Sequence, residues 1–207
     1  MAEPFRTFTS AVIPLPSENV DTDQIVPARY LKVTDKNGLR EALFRDWRYD
    51  EDGGLKEPLF VMDRVAMLDR KILLVGDNFG TGSSREHAPW APTAWGIRAI
   101  LSTSFADIFR NNALKNGLLP IVVEADEHRH LFELVETQPD AQLTVDLEAQ
   151  VVHLPGDEDL PFDVDPFARM MLLAGTDEMG YLLGKLPAID AWEGRHPARI
   201  DTLVGAG

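Results

Sequence analysis

The chain has 207 residues, 44% of them hydrophobic and 26% charged, which is the balance of one soluble globular domain. Its net charge of −14 argues against a nucleic-acid or anionic-membrane surface, because both depend on basic patches. There is no cysteine, so disulfides, thiol nucleophiles and Cys-ligated zinc or iron–sulfur centres are excluded from this chain, and any such cluster must come from a partner.

No apolar run is long enough to span a bilayer and no basic-then-apolar leader opens the chain, so a cytoplasmic location is expected. Ala11 to Leu15, broken by Pro14 and followed by Pro16, reads as an edge strand ending in a turn. Asn19 to Pro27 (N-V-D-T-D-Q-I-V-P) is a polar turn that runs into an apolar pair and a proline stop. Asp21 and Asp23 could face a hard cation, but a calcium loop needs more oxygen ligands and a terminal bidentate Glu. An Asx-type turn is expected instead, with one Asp orienting a catalytic group. Residues 28–56 mix charges, glycine and aromatics without a clean period, apart from a helical stretch around Leu39 to Trp47. They read as a mobile loop system that carries binding residues.

From Ile72 the pattern becomes regular. Strands Ile72 to Val75, Ile97 to Leu101 and Leu118 to Val123 alternate with helices Arg85 to Trp95, Phe105 to Asn116 and Asp126 to Glu136, which predicts βαβ units and a parallel sheet. Three further runs (Leu143 to Leu147, Val151 to Leu154, Leu160 to Val164) are spaced as an antiparallel meander. Asp165 is placed to cap a helix from Pro166 to Ala174, with Gly175 past its end. A short helix over Ala188 to Glu193 and a disordered tail over 201–207 complete a single domain spanning 1–200.

Chemistry concentrates in Asn78 to Trp90, N-F-G-T-G-S-S-R-E-H-A-P-W. Gly80 and Gly82 allow positive φ and close backbone approach, while the N–H groups of Ser83, Ser84 and Arg85 would be free at a helix start whose dipole favours an anion. The Arg85 guanidinium is suited to grip a carboxylate or phosphate bidentately. The alternative is an ordinary Ser-capped helix with Arg85 and Glu86 as solvated charges. No Walker lysine and no third glycine follow, so nucleotide binding is disfavoured. The five histidines show no H-E-x-x-H spacing, and no metal site is expected.

The motifs N-V-D-T-D-Q-I-V-P-A-R-Y-L (19–31) and N-F-G-T-G-S-S-R-E-H-A-P-W (78–90), with T-S-F-A-D-I-F-R-N-N (103–112) and N-G-L-L-P (116–120), together resemble the small subunits of 3-isopropylmalate dehydratase, within the aconitase swivelling-domain family. The resemblance implies an α/β fold: a β/β/α swivelling domain like the fourth domain of aconitase, with a mixed or parallel sheet flanked by helices. It also implies a hydro-lyase of leucine biosynthesis that interconverts 2- and 3-isopropylmalate, active only with a large subunit that carries a [4Fe–4S] cluster. No cofactor is then bound by this chain, and its small-molecule partner is a dicarboxylate.

On that resemblance Ser83 is the proton-abstracting base and Asp23 orients active-site groups. Arg85 and Ser84 clamp a substrate carboxylate, although Ser84 fits a helix cap equally well. Tyr30 and Leu31 select the isopropyl group over a third carboxylate, unless Leu31 only anchors its loop to the core. Gly80, Gly82, Glu86 and His87 support the loop. Two residues depart from the family pattern: Thr81 replaces a frequent cysteine, and Pro92 replaces a leucine inside the helix that presents Arg85. Rival readings are a related hydro-lyase acting on citraconate, methylmalate or homoaconitate, and a non-catalytic anion-binding module.

Overall fold

The computed structural model describes residues 3–32, 36–82 and 85–196. The expected tail at 201–207 lies outside them, as do Ser83 and Ser84. Seven strands form one mixed sheet in the order β4-β3-β2-β1-β5-β6-β7. These are β1 (Phe8–Leu15), β2 (Ile72–Val75), β3 (Ala99–Ser102), β4 (Leu119–Val122), β5 (Gln142–Asp146), β6 (Val151–Leu154) and β7 (Glu158–Pro161). Strands β1 to β4 run parallel, and β5, β6 and β7 continue the sheet antiparallel from the other side of β1.

All four residues of β2 are buried, which is why that run shows no polar alternation. Ile72 and Leu74 face a core shared with helices α6 (Ala125–Thr137) and α7 (Pro166–Ala174). Leu73 and Val75 face a second core, on the other side of the sheet, built with α4 (His87–Trp95) and α5 (Asp107–Lys115). That second face also holds the short helices α1 (Thr22–Ile25), α2 (Lys36–Ala42) and α3 (Arg45–Arg48).

Three expectations are corrected. The strand expected at an edge, β1, lies at the centre of the sheet. It pairs with β5 over Phe8 to Ala11 and with β2 over Val12 to Leu15. The Leu15 carbonyl points toward β2, accepting from Gly76 N at 3.2 Å, while the Val12 carbonyl accepts from the Arg70 guanidinium at 2.6 Å. By the two-residue alternation of a strand, the missing N–H of Pro14 faces the side that β5 has already left, so no ladder bond is lost. The last strand starts at Glu158 rather than Leu160, because Gly156 and Asp157, at φ 85° and 59°, close a tight turn after β6. The final helix, α8, runs Glu178–Arg195. Glycines at 180 and 184 and Pro187 hide it from a propensity reading, while Asp177 starts it by accepting from Gly180 N at 2.7 Å.

Helix α7 has the expected bounds. Asp165 accepts from the N–H groups of Phe167 and Ala168, and Gly175 takes the left-handed C-cap. Between β1 and β2, the stretch expected to be helical divides into α2 and α3 at Phe44, whose φ is 48°. Arg48 docks this segment on the body. It is 4% exposed, forks onto Asp63 at 2.8 and 2.9 Å, and donates to the carbonyls of Arg40 and Leu43. Its guanidinium also lies 4.6 Å from the Trp95 ring of α4.

Candidate active site

The site lies beyond the carboxyl ends of β1 and β2, where ligands of parallel sheets collect. The two sequence motifs meet there through backbone. Gly80 N and Thr81 N both donate to the Val20 carbonyl, at 2.7 and 3.2 Å, and Thr22 N donates to the Thr81 carbonyl at 2.8 Å. Residue 81 therefore acts through its N–H and C=O, and threonine serves as well as cysteine. On the other flank Asn78 N donates to Ser104 Oγ at 3.0 Å and Ala106 N donates to the Phe79 carbonyl at 3.0 Å.

Gly80 and Gly82 have φ of 81° and 90°, as the turn reading requires. At Gly80 a Cβ would sit 2.3 Å from Cγ of Phe109. The loop is thus pressed against α5, and only glycine fits. Ser83 and Ser84, the expected base and its neighbour, fall between Gly82 and Arg85, outside the described residues, so their roles rest on the motif.

Arg85 precedes α4 by two residues rather than opening it, since the helix begins at His87 with Glu86 before it and no side-chain cap bond. Its guanidinium faces the first motif and forks onto the Asp23 carboxylate, with Nη2 donating to Oδ2 at 2.7 Å and Nη1 donating to Oδ1. Nη1 also reaches the Val26 carbonyl at 3.4 Å. Asp23 Oδ1 accepts a second donor, Ala28 N at 3.2 Å. One carboxylate therefore links Arg85 to the turn at Ala28–Tyr30. These bonds, led by the one from Arg85, hold the Asp23 carboxyl below its ordinary 3.8. Asp21 is instead the cap of α1: it accepts from Gln24 N at 2.9 Å while Gln24 Oε1 accepts from Asp21 N at 2.8 Å, a capping box rather than a bare Asx turn.

Tyr30 and Leu31 are half-buried beside this turn. Arg29, which was not singled out in the sequence, places the turn from outside by forking onto Asp46 of α3, with one bond of 3.1 Å. Arg29, Tyr30, Arg45 and Lys56 line an open polar cleft of about 540 Å³ together with Asp46, Asp50 and Glu51. The signal for this mixed-charge group was the density of charged residues of both signs in 29–56, which without a helical period could not be assigned to one face. A larger cleft of about 840 Å³, lined by Pro14, Trp47, Phe60 and Phe132, is apolar and contains none of the expected site residues. The ring of His87 lies 4.7 Å from that of Trp90, and its Nε2 is buried without a hydrogen-bond partner among the described residues. Glu86 is exposed. Pro92 is buried within α4 without ending it.

The two motifs, joined by backbone at the end of a mixed sheet, lie within a domain of the aconitase type. The family model for the aconitase C-terminal domain matches residues 2–126, and a second model, LeuD_N, matches residues 129–166. The 3-isopropylmalate dehydratase small subunit of Anaeromyxobacter dehalogenans (strain 2CP-1) is 55% identical over 192 residues, covering 93% of this chain and 98% of that protein. That of Solibacter usitatus is 52% identical over 201 residues (97% and 99%), and that of a Roseiflexus species (strain RS-1) is 50% identical over 202 residues (98% of each). A crystal structure of 3-isopropylmalate dehydratase from Methanocaldococcus jannaschii superposes with a TM-score of 0.65 at 27% identity, covering 91% of this chain and all of that one. The chain belongs to the 3-isopropylmalate dehydratase small-subunit family, a family of hydro-lyase subunits in leucine biosynthesis. In this family the cluster belongs to the large subunit. Among the described residues no group of three or more His, Asp or Glu could hold a metal ion, and no helix is long and apolar enough to cross a membrane.

Proposed function

We propose that this chain supplies the proton-transfer and carboxylate-gripping half of the isopropylmalate reaction in the cytoplasm, with a small dicarboxylate as substrate. The observation that carries this reading is the Arg85 fork. It already holds a carboxylate, that of Asp23, beside the turn that bears Tyr30 and Leu31. Moving a hydroxyl between adjacent carbons requires loss of a weakly acidic C–H proton next to a carboxylate. Ser83 Oγ, as alkoxide, takes that proton and returns it when water re-adds at the neighbouring carbon. Its anion is stabilised by the adjacent Arg85 charge and by the positive end of the α4 dipole. The metal cluster of the large chain supplies Lewis-acid assistance to departure of the hydroxide.

Arg85, with Ser84, fixes the substrate carboxylate so that the C–H lies against Ser83. Asp23 is the positioning residue that aims the Arg85 fork and ties it to the specificity turn. Leu31 packs the isopropyl branch and offers no partner to a third carboxylate, whose unpaired burial is costly. The test is reconstitution with a cluster-bearing large chain under anaerobic conditions, following absorbance of the unsaturated intermediate over a panel of diacids. Ser83→Ala should lower turnover at least ~10²-fold without weakening subunit association. Near-normal turnover by that variant, or turnover by the wild-type chain alone, overturns the assignment.

A further inference from the structure

The chain leaves β2 through Asp77, Asn78 and Phe79, the root of the glycine loop, and the chemistry given above makes no use of these three residues. Asn78 has a φ of 56°, in the left-handed region that few residues with a side chain adopt. Gly80 follows at 81°. With two such joints so close together, the course of the chain toward Arg85 depends on whatever grips the root.

The grip comes from the stretch between β3 and α5. Ser104 Oγ accepts from Asn78 N at 3.0 Å, and the Ser104 carbonyl accepts from Phe79 N at 3.2 Å. The same hydroxyl donates to Asp77 Oδ1 at 2.6 Å, and Thr103 Oγ1 donates to that oxygen at 2.7 Å. Because Asp77 takes the hydroxyl proton, the lone pairs of Ser104 are left for the Asn78 N–H. These donors, Ser104 before Thr103, hold the Asp77 carboxyl below its ordinary 3.8. A serine ahead of a helix commonly caps it. Ser104 does not, since α5 is preceded by Ala106 and has no side-chain cap bond. Both bonds of its hydroxyl go to the loop root instead.

We infer that Ser104 and Asp77 are positioning residues for the proton transfer: together they fix the root of the loop, and so the place of Ser83 Oγ against the substrate C–H. The inference rests on the function given above and adds two residues that it does not use. Arg85 depends less on the root, because its guanidinium is tied separately to Asp23 and Val26. Releasing the root therefore displaces the base more than the carboxylate grip, and a displacement of ~1 Å costs about 10- to 100-fold in rate. What the pair requires at position 77 is an oxygen rather than a charge, since both hydroxyls meet Oδ1.

The experiment uses the full chain reconstituted with a purified isopropylmalate dehydratase large chain, with isopropylmalate as substrate. Ser104→Ala should lower kcat about 10- to 100-fold while KM stays within about threefold of wild type. Asp77→Ala should behave alike, and the double variant should be no worse than either single one, because the two residues act as a unit. Asp77→Asn keeps Oδ1 and should return kcat to within about threefold of wild type. In the free chain, amide exchange at Asn78 should quicken at least ~10-fold in Ser104→Ala and stay near wild type in Asp77→Asn. Asp77 is exposed, so the Ala and Asn variants at 77 carry the test even where Ser104→Ala lowers the yield of folded chain. Wild-type kcat in Ser104→Ala or Asp77→Ala overturns the inference, as does a rise in KM at unchanged kcat. Equal loss of kcat in Asp77→Asn and Asp77→Ala also overturns it, by assigning Asp77 a role through its charge. Normal turnover by Ser83→Ala, beside a kcat loss in Asp77→Ala that Asp77→Asn restores, sinks the base assignment and leaves the positioning of the loop by its root standing.

Discussion

Asp23→Asn isolates the link between the Arg85 fork and the specificity turn. The carboxylate of Asp23 makes two bonds to Arg85 and one to Ala28 N, and the amide keeps the shape but has one acceptor oxygen and no charge. Asp23 is 56% exposed and Arg85 only 13%, so water replaces much of what is lost on the Asp side, and the cost in stability should be about 1 kcal/mol or less. Turnover should suffer more. An arginine no longer aimed by its carboxylate lets the substrate shift by a fraction of an ångström to an ångström, and such misplacement costs about 10- to 100-fold in rate. Because Asp23 acts through the aim of Arg85 and not through a contact of its own with the substrate, KM should change less than kcat.

The pH dependence has a definite sign. The folded carboxyl sits below its ordinary 3.8, so its stabilising contribution is present above that value and is lost as pH falls through the lower folded pKa. In the variant this acid-limb loss should be absent. Stopped assays of the reconstituted complex give kcat and KM, and acid titrations of the free chain followed by circular dichroism give the stability. Wild-type kcat in Asp23→Asn would refute the positioning role, and a collapse in stability of several kcal/mol would show that the pair holds the fold instead.

Arg48→Met removes one partner of a buried pair whose side chains are 5% and 6% exposed, leaving Asp63 charged and unpaired. Denaturant unfolding should lose about 3–5 kcal/mol, much of it recovered when Asp63→Leu is added; no recovery would mean that the carbonyls of Arg40 and Leu43, not Asp63, are what Arg48 serves. Gly80→Ala places a Cβ 2.3 Å from Phe109 at a φ of 81°, so melting should shift down by several degrees and turnover should fall, and a variant equal to wild type in both would refute the pressed-loop geometry. Leu31→Arg should shift the ratio of specificity constants for isopropylmalate and homoaconitate by on the order of 10 to 200-fold toward the tricarboxylate, while an unchanged ratio assigns Leu31 to packing alone.

The parallel half of the sheet was legible because the apolar runs of β2 and β3 are buried on both faces and each intervening helix carries its own stop, such as Gly96 at φ 116° after α4. The central position of β1 was not legible, since Pro14 is an edge signal in the sequence and becomes harmless only where β5 stops and β2 takes over the pairing. Helix α8 was hidden for the opposite reason: its glycines and proline speak against a helix, and none of its residues is buried to leave an amphipathic core signal. The site divides in the same way. Gly80 and Gly82 declare themselves through backbone freedom, a property of the residue itself. That Asp23 would meet Arg85, 62 positions away, depends on Val20 accepting from Gly80 and Thr81. Those backbone bonds leave no trace in side-chain chemistry, which is why a D-T-D turn and a G-S-S-R loop are each ambiguous alone and define an anion grip only when the fold joins them.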